Sequence, residues 1–363
     1  MIDFTLSPEL TLLQSTAREL ARDRLAAVER RLEADRDVGD ELRRLFDEVG
    51  LARVELPEAL GGAELGALAR AVVLEELGAG DPGAALALDP LGPAAYVVQE
   101  LGGSEALTAL AKPILAEPGA RALLVHDHRP RFHESGGTVQ GQFPWVPADR
   151  VDLLVVLEME RAYVVREGIH LEPVRGAGLR AAGASELRLD GAPIVESWVS
   201  TPATLQAHAR GRLYVASLLV GVLRRAYEYS RDYALERVAF GRPIAHHQSL
   251  AFLIADMATA VDGCRMLVHE AAWRLDQGDP AVEACAGAFV ECCEQAMFVT
   301  PNALQLLGGH GFMLDHPVEK FMRDARALTL LLGGVDAARE ESGRDLGERD
   351  GPVALTLGES SWT

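Results

Sequence analysis

RVAFGRPIAHHQ, residues 237–248, lies between two long segments in which apolar residues recur at helical spacing. The stripe before it runs through Leu213, Ala216, Val220, Leu223 and Tyr227, and the stripe after it through Leu250, Leu253, Met257, Val261, Cys264 and Val268. Steps of three and four residues predict amphipathic helices, and so short a connection predicts that neighbouring helices pack antiparallel. A third stripe, from Val282 to Leu306, extends the pattern, so a four-helix bundle is predicted.

The patterns divide the chain into three zones and a tail. Residues 1–118 carry helical signals broken by glycines, residues 119–203 hold short β-rich runs separated by turn signals, and residues 204–342 carry the long helical stripes. The sequence therefore predicts an α+β architecture with an N-terminal helical domain, a small middle β-domain and a C-terminal four-helix bundle. Residues 343–363, rich in Gly, Glu and Ser, are predicted to form a loose tail.

Composition excludes several classes of function. The net charge of −19 would repel a phosphate backbone, which argues against nucleic-acid binding. No apolar run approaches the roughly 18 residues of a membrane helix, and the first residues lack a signal-peptide pattern, so a cytoplasmic protein without a membrane span is expected. In a reducing cytoplasm the four cysteines are expected to be buried hydrophobes rather than metal ligands: Cys264, Cys285, Cys292 and Cys293.

Three segments carry a resemblance to a known family. Residues 237–248 resemble the R-x-x-F-G-x-x-x-x-x-H-Q motif of the acyl-CoA dehydrogenases, and the resemblance extends to QLLGGHGF at 305–312 and PVEKFMRDAR at 317–326. It covers nearly the whole chain. The resemblance implies FAD as cofactor, an acyl-CoA substrate oxidised to its 2,3-enoyl product, a tetramer, and an electron-transfer flavoprotein or similar acceptor.

The resemblance also implies which residues bind the cofactor. Arginine offers a planar set of donors to a diphosphate, and glycines allow the backbone to approach a dinucleotide closely. In the family these segments hold mainly the flavin of the neighbouring subunit, so they are interface features as well. Without the combined motif, the arginine would be read as an ion-pair partner and the glycine pair as a helix end. The implied cofactor residues are Arg237, Phe240, His247, Gln248, Gln305, Gly308, Gly309 and Trp145.

Two departures from the family affect the flavin ring. A typical member carries T-E-P-x-x-G-S-D at the start of the β-domain, where this chain has ARALLVHDHRP, residues 120–130. The family's W-I-T-N becomes Trp145-Val146-Pro147-Ala148, and Pro147 removes both a hydroxyl and a backbone N–H. Trp145 is expected either to cover a flavin ring or to pack within the β-domain.

The third departure removes the catalytic base. In RDARALTLLLGG, residues 323–334, the position of the family's glutamate falls on Leu332. Some members of the family instead carry the base on the earlier helix, directly after the motif arginine. In this chain that position is Val238, which is also apolar. Proton abstraction needs a base, so the catalytic residue is unknown. Glu236 and Asp336 are candidates for a relocated base, although an exposed or helix-capping position is the commoner role for such residues.

Five arginines concentrate positive charge near the end of the first long helix. They could contact the phosphates of CoA, but a solvated basic face paired with neighbouring acids is the commoner arrangement. The five are Arg224, Arg225, Arg231, Arg237 and Arg242.

The retained and missing features form an asymmetric set. The chain keeps the residues with which family members contact the flavin of a neighbouring subunit. It lacks the residues that hold a subunit's own flavin ring and the residue that removes the proton. This asymmetry suggests the base-lacking subunit of a heteromeric acyl-CoA dehydrogenase, acting on fatty acyl or steroid side-chain thioesters. The alternatives are a homotetrameric dehydrogenase with an unrecognised base, a flavin-dependent monooxygenase or other flavoenzyme, and a non-catalytic relative in which Leu330–Leu332 plugs the flavin site.

Overall fold

A computed structural model describes residues 5–126, 131–158, 161–199, 201–279 and 281–348. The first part of the chain is helical, as predicted. Its helices are α1 (Pro8–Leu20), α2 (Glu29–Asp35), α3 (Gly39–Val49), α4 (Gly66–Gly80), α5 (Pro82–Leu88), α6 (Ala94–Val97) and α7 (Gly103–Ala116). Side-chain caps mark two of the helix starts: the Ser7 hydroxyl accepts the N–H of Leu10 at 3.2 Å, and the Asp81 carboxylate accepts that of Ala84 at 2.8 Å.

The middle β-domain is also confirmed. Its strands are β1 (Ala122–His126), β2 (Phe132–Ser135), β3 (Thr138–Val146), β4 (Leu153–Leu157), β5 (Arg161–Val165), β6 (Ile169–Pro173) and β7 (Ser185–Val199). Along the sheet the order is β1-β4-β5-β7-β3-β2, and β6 also pairs with β7. Only the β1–β4 pair is parallel among these strand pairs. The long strand β7 joins the sheet's two halves, because its first part pairs with β3 and β6 and its last part with β5.

The C-terminal helical region contains α8 (Pro202–Glu236), α9 (Gln248–Gln277), α10 (Val282–Leu307), α11 (Val318–Leu328) and α12 (Gly334–Glu348). The predicted stripes form its core, and all four cysteines are buried there. The predicted tail begins inside α12, and residues 349–363 lie outside the described residues. None of the described helices is long and apolar enough to cross a bilayer.

Helices α4 and α8 approach each other closely through glycines. A Cβ added to Gly221 would lie 2.0 Å from the carbonyl oxygen of Glu75, and one added to Gly78 would lie 2.3 Å from that of Leu218. Around this contact the buried carboxylates of Glu75 and Glu76 pair with Arg224 at 3.1 and 2.6 Å. These contacts fix α8, which supplies one wall of the site, against the N-terminal domain.

A buried acid joins the three parts of the fold. Asp324, on α11, accepts the backbone N–H of Leu179 at 2.7 Å and lies 2.5 Å from the ammonium group of Lys320. The same ammonium lies 2.9 Å from Asp81, which caps α5. Burial raises the pKa of Asp324, although Lys320 opposes the change. Asp324 therefore connects the bundle, the loop between β6 and β7, and the N-terminal domain.

Candidate functional site

The stretch 237–248 forms a hairpin at the end of α8. Strands β8 (Val238–Ala239) and β9 (Arg242–Pro243) pair across a turn in which Phe240 and Gly241 have φ of 55° and 80°. Two positive φ values are typical of a type I′ hairpin turn, and they are unusual for phenylalanine. The Phe240 side chain is 96% exposed at the tip.

His247 contacts the hairpin through both ring nitrogens and through a ring contact with Phe240. Its Nε2 lies 3.2 Å from the carbonyl oxygen of Ala239, and its Nδ1 lies 3.2 Å from Nη2 of Arg242. The Phe240 and His247 rings meet edge to face, with centroids 6.0 Å apart. His247 therefore positions the hairpin, while Arg237 and Gln248 are exposed at its two ends.

The second motif lies at the same end of the bundle. Gly308 and Gly309 begin the exposed turn after α10, and Gln305 is exposed one turn earlier. The Tyr233 hydroxyl, one turn before the hairpin, lies 2.7 Å from Nδ1 of His310 and so ties the two segments together. The structure thus brings together the cofactor residues predicted from the two motifs.

Leucine fills the corner to which the sequence resemblance assigns the family's glutamate. Leu332 has φ 53° and ψ 43°, the left-handed region that a leucine rarely adopts. Its Cδ1 lies 3.1 Å from the place where Gly211 of α8 would carry a Cβ, beside Pro93 and Leu124. Leu332 packs between two hydrophobic clusters. No proton acceptor is supplied by either Leu332 or Gly211.

The alternative base positions predicted from the sequence do not reach this corner. Glu236 ends α8 about 37 Å from Gly211, at about 1.5 Å of rise per residue. Val238 follows it in the hairpin and is 58% exposed. On α8 the position that faces residue 332 is instead Gly211. Asp336 is exposed and lines a different cavity, of about 580 Å³, on the α10 side of Leu330.

A histidine that the sequence analysis did not select lies next to the corner. His126, the last residue of β1, is buried, and its Nδ1 lies 2.8 Å from the carbonyl oxygen of Leu157. A Cβ on Gly333 would lie 3.3 Å from its Nε2. The ring also meets that of His208 on α8 edge to face, with centroids 4.1 Å apart. Because the Leu157 carbonyl requires a donor, the neutral imidazole carries its lone pair on Nε2.

A small cavity lies between the corner and the β-domain. Its volume is about 60 Å³. The Tyr214 hydroxyl donates to Asp89 there at 2.9 Å, and burial raises the pKa of this tyrosine well above its usual range. The lining residues are Leu86, Asp89, Gly92, Pro93, residues 121–126, Phe143, residues 145–147, Tyr214, Val215 and residues 330–332.

Comparison with known proteins places this geometry in a family. The family model "Acyl-CoA dehydrogenase, N-terminal domain" matches residues 7–117, and "Acyl-CoA dehydrogenase, C-terminal domain" matches residues 202–346. A cyclohex-1-ene-1-carbonyl-CoA dehydrogenase of Geobacter metallireducens is 32% identical over 340 residues, which cover 84% of this chain and 89% of that protein. The chain belongs to the acyl-CoA dehydrogenase family.

Solved structures share the acyl-CoA dehydrogenase fold over almost the whole chain. PigA with FAD and proline superposes with a TM-score of 0.84 at 21% identity, covering 95% of this chain and 99% of that one. The Tcur3481-Tcur3483 steroid ACAD superposes with a TM-score of 0.82 at 24% identity, covering 95% and 99%. These similarities confirm the predicted order of helical, β and helical domains. FAD is the cofactor of this acyl-CoA dehydrogenase family, and its structural neighbours include FAD-bound PigA.

The ring site of this acyl-CoA dehydrogenase relative does not fit a flavin. Cavities that hold organic cofactors measure about 300–1,000 Å³, whereas this one measures about 60 Å³. Pro147, which lines it, is buried and has no backbone N–H to donate to a ring. Leu330–Leu332 and Trp145 occupy the space around it.

Trp145 does not join the hydrophobic core of the β-domain, which was one of the two arrangements expected for it. It lines the cavity, and it also packs against the main hydrophobic core. Its Nε1 is buried without a hydrogen-bond partner among the described residues and lies 3.2 Å from the place where Gly176 would carry a Cβ. The indole N–H is therefore directed toward the loop at Gly176 rather than toward a bound ring.

The basic cluster near the end of α8 is largely neutralised by acids or fixed by the backbone. Arg224 pairs with Glu75 and Glu76, Arg225 donates to the carbonyl oxygen of Ala79 at 2.8 Å, and Arg231 pairs with Asp232. Arg225 also pairs with Glu29 at 3.3 Å, so the arrangement with neighbouring acids is found for Arg224, Arg225 and Arg231. Arg237 remains exposed beside the hairpin.

Proposed function

We propose that this chain is the base-lacking subunit of a heteromeric acyl-CoA dehydrogenase that oxidises a CoA thioester at its 2,3-bond. A sibling subunit carries the glutamate and the flavin ring, and electrons pass to an electron-transfer flavoprotein or a similar acceptor. One observation carries the proposal. Leu332, packed on Gly211, fills the corner that would need a base, while the tip of the hairpin at 237–248 is exposed.

The packing of Leu332 supports a corner that is closed by the folded chain itself. A carboxylate there would lie among Pro93, Leu124 and the backbone of Gly211, where its charge would be poorly solvated. The left-handed conformation of Leu332 has a steric cost, and the surrounding packing offsets it.

The exposed hairpin supports a role across a subunit interface. A phenylalanine that is 96% exposed at the tip of a turn leaves a large apolar surface in water unless a partner covers it. Phe312 and Leu314, in the segment that follows the glycine pair, are 75% and 72% exposed. Arg237 adds a planar donor set at the same end of the bundle.

The chemistry divides between the two subunits. When bound, FAD supplies the acceptor for the hydride that leaves the thioester. In the proposed assembly Arg237 binds the diphosphate of the partner's cofactor, and His247 holds the hairpin in place. Gly308 and Gly309 allow the backbone to approach the dinucleotide. The name of the similar Tcur3481-Tcur3483 structure joins two proteins, which is consistent with such an assembly.

Co-purification with a sibling dehydrogenase that carries the glutamate tests the proposal. The expected complex contains one FAD per two chains, and an acyl-CoA reduces its flavin under anaerobic conditions. Arg237→Gln in this chain should lower the FAD content of the complex by at least about tenfold, because a charge-assisted contact to a phosphate is lost. Arg31→Gln, an exposed arginine on α2, is the matched control and should retain FAD.

A self-sufficient enzyme is the second candidate, because His126 lies beside the corner. In that case Nε2 of His126 would take the α-proton of the thioester, since the Leu157 carbonyl holds Nδ1 protonated. An isolated homo-oligomer with one flavin per chain would favour this function, provided that His126→Gln abolishes flavin reduction by an acyl-CoA. The heteromeric proposal predicts neither result.

A further inference from the structure

Arg121, the residue before β1, is a buried cation at the small cavity. Its side chain lines the cavity and is only 7% exposed. Burying a guanidinium is costly unless acids and acceptors surround it. The contacts that Arg121 makes therefore indicate what the cavity is suited to hold.

Those contacts are few. Within the described parts of the chain, the guanidinium makes one hydrogen bond, from Nη1 to the carbonyl oxygen of Ala182 at 3.3 Å, and no ion pair. Asp149 and Asp89 act on it only through longer-range attraction, and burial lowers the pKa of Arg121. The other buried arginine nearby, Arg70, pairs directly with Asp89. Among the residues that the structure describes, Arg121 has no comparable partner.

Asp89 cannot serve as that partner, because its oxygens are already engaged. One oxygen receives the guanidinium of Arg70 and the hydroxyl of Tyr214, the latter at 2.9 Å. The other receives the backbone N–H groups of Leu91 and Gly92 at 3.2 and 2.8 Å. A carboxylate has about four acceptor sites, so this one has no capacity left. The cavity therefore keeps an excess positive charge.

The cavity's size limits the ligand. One water-sized group needs about 10–15 Å³, so a volume of about 60 Å³ accommodates roughly four to six such groups. Most of the other lining is apolar, including Leu86, Leu124, Phe143 and Val215. We propose that this cavity binds a free short-chain carboxylate of the size of acetate to butyrate, with its carboxylate on Arg121 and its methyl end against the apolar lining.

This chemistry matches the site better than other anions do. The planar guanidinium fork fits a carboxylate in a bidentate geometry. A phosphate would bring a second negative charge toward the engaged Asp89 and would leave the apolar lining without a partner. A thioester that carried the carboxylate at its far end would exceed the cavity. The bound acid compensates the buried charge of Arg121 and so stabilises the folded chain.

Titration calorimetry on the full chain tests the proposal, with propionate and its neutral analogue propionamide at matched ionic strength. Saturable binding of propionate without binding of propionamide is expected. Arg121→Gln should weaken propionate binding at least about tenfold, whereas Arg44→Gln, an exposed arginine on α3, should leave it unchanged. Benzoate, which is too large for the cavity, should not bind.

Three further measurements complete the test. Circular dichroism shows whether Arg121→Gln folds, and Arg121→Lys, which keeps the charge with fewer donors, should bind propionate with intermediate affinity. Propionate should also raise the unfolding temperature of the wild-type chain in a concentration-dependent way. Equal binding of propionate and propionamide, equal affinity in the wild type and the Arg121 variants, or no saturable binding at all would overturn the proposal.

Discussion

Leu332 Cδ1 lies 3.1 Å from the position that a Cβ atom on Gly211 would occupy. The two residues come from different elements: Leu332 lies in the turn before α12, and Gly211 lies in the first third of α8. This contact closes the corner in which an acyl-CoA dehydrogenase needs its base. The glycine removes a side chain from the helix, and the leucine fills the space.

Replacing Leu332 by glutamate should therefore destabilise the chain rather than restore a base. The new carboxylate would be packed against Gly211, Pro93 and Leu124, so we expect Leu332→Glu to lower the unfolding free energy by about 2 kcal/mol. Leu330→Glu, two residues away and 56% exposed, is the control and should change it by less than about 0.5 kcal/mol. Urea denaturation measures both variants, and equal effects would contradict the packing of Leu332.

Replacing two helical glycines by alanine should change the stability of the chain in opposite directions, because only one of them lies at the contact between α4 and α8. Gly221→Ala places a methyl group 2.0 Å from the Glu75 carbonyl oxygen, which forces the backbones apart and should cost about 3 kcal/mol or more. Gly263→Ala, inside α9 with no atom within 4 Å of the added Cβ, should stabilise the chain by about 0.5–1 kcal/mol. Thermal unfolding distinguishes the two, and a stable Gly221→Ala variant would argue against this close packing.

Replacing Asp324 should lower the unfolding free energy more than replacing an exposed acid does. Asp324→Asn leaves Lys320 with one carboxylate partner and weakens the bond to Leu179, so we expect a loss of about 3–5 kcal/mol. Asp336→Asn, at an exposed position on α12, is the matched control. Denaturation of both variants checks the result, and a loss below about 1 kcal/mol for Asp324→Asn would contradict a joining role for this acid.

Glu29 should make stability depend on pH. Burial is the main cause that raises the pKa of this carboxyl group from 4.5 to about 7, and the nearby charges of Arg225 and Lys320 oppose the rise while Asp81 adds to it. A raised folded-state pKa favours the protonated form, so this contribution to stability is complete below pH 4.5 and is lost as the pH rises through about 7. The loss attributable to Glu29 is about 3 kcal/mol.

Denaturation at several pH values checks this dependence. Glu29→Gln mimics the neutral carboxyl group, so the variant should gain stability relative to the wild type as the pH rises from about 5 to about 8. Glu48→Gln, at an exposed position on α3, is the control and should follow the wild type. A constant difference between Glu29→Gln and the wild type across this range would contradict the prediction.

The sequence predicted the fold because its signals are local or belong to known motifs. Helical stripes and turn signals need only neighbouring residues, and the short connection at 237–248 between two long helices carries a motif with defined spacing. Leu332 was also located in this way, by counting along the R-D-A segment. Its left-handed conformation and its fit against Gly211 depend on packing, which the spacing of residues does not encode.

The helix position that faces Leu332 was not identified from the sequence, for the same reason. Val238 directly follows the motif arginine, but a long helix separates it from the corner, which Gly211 faces. A glycine inside a helix was a signal of close approach that the sequence offered. His126 and Arg121 lay within the segment recognised as a departure, yet their burial beside one cavity becomes evident only once β1 pairs with β4.

The flavin content of the purified chain, alone and in complex with a sibling subunit that carries the glutamate, tests the central claim most directly. We predict that the isolated chain contains no flavin and that the complex contains one FAD per two chains. One FAD per chain in the isolated protein would show that its own ring site opens to the cofactor, which would contradict the assignment of Leu332 to a closed site.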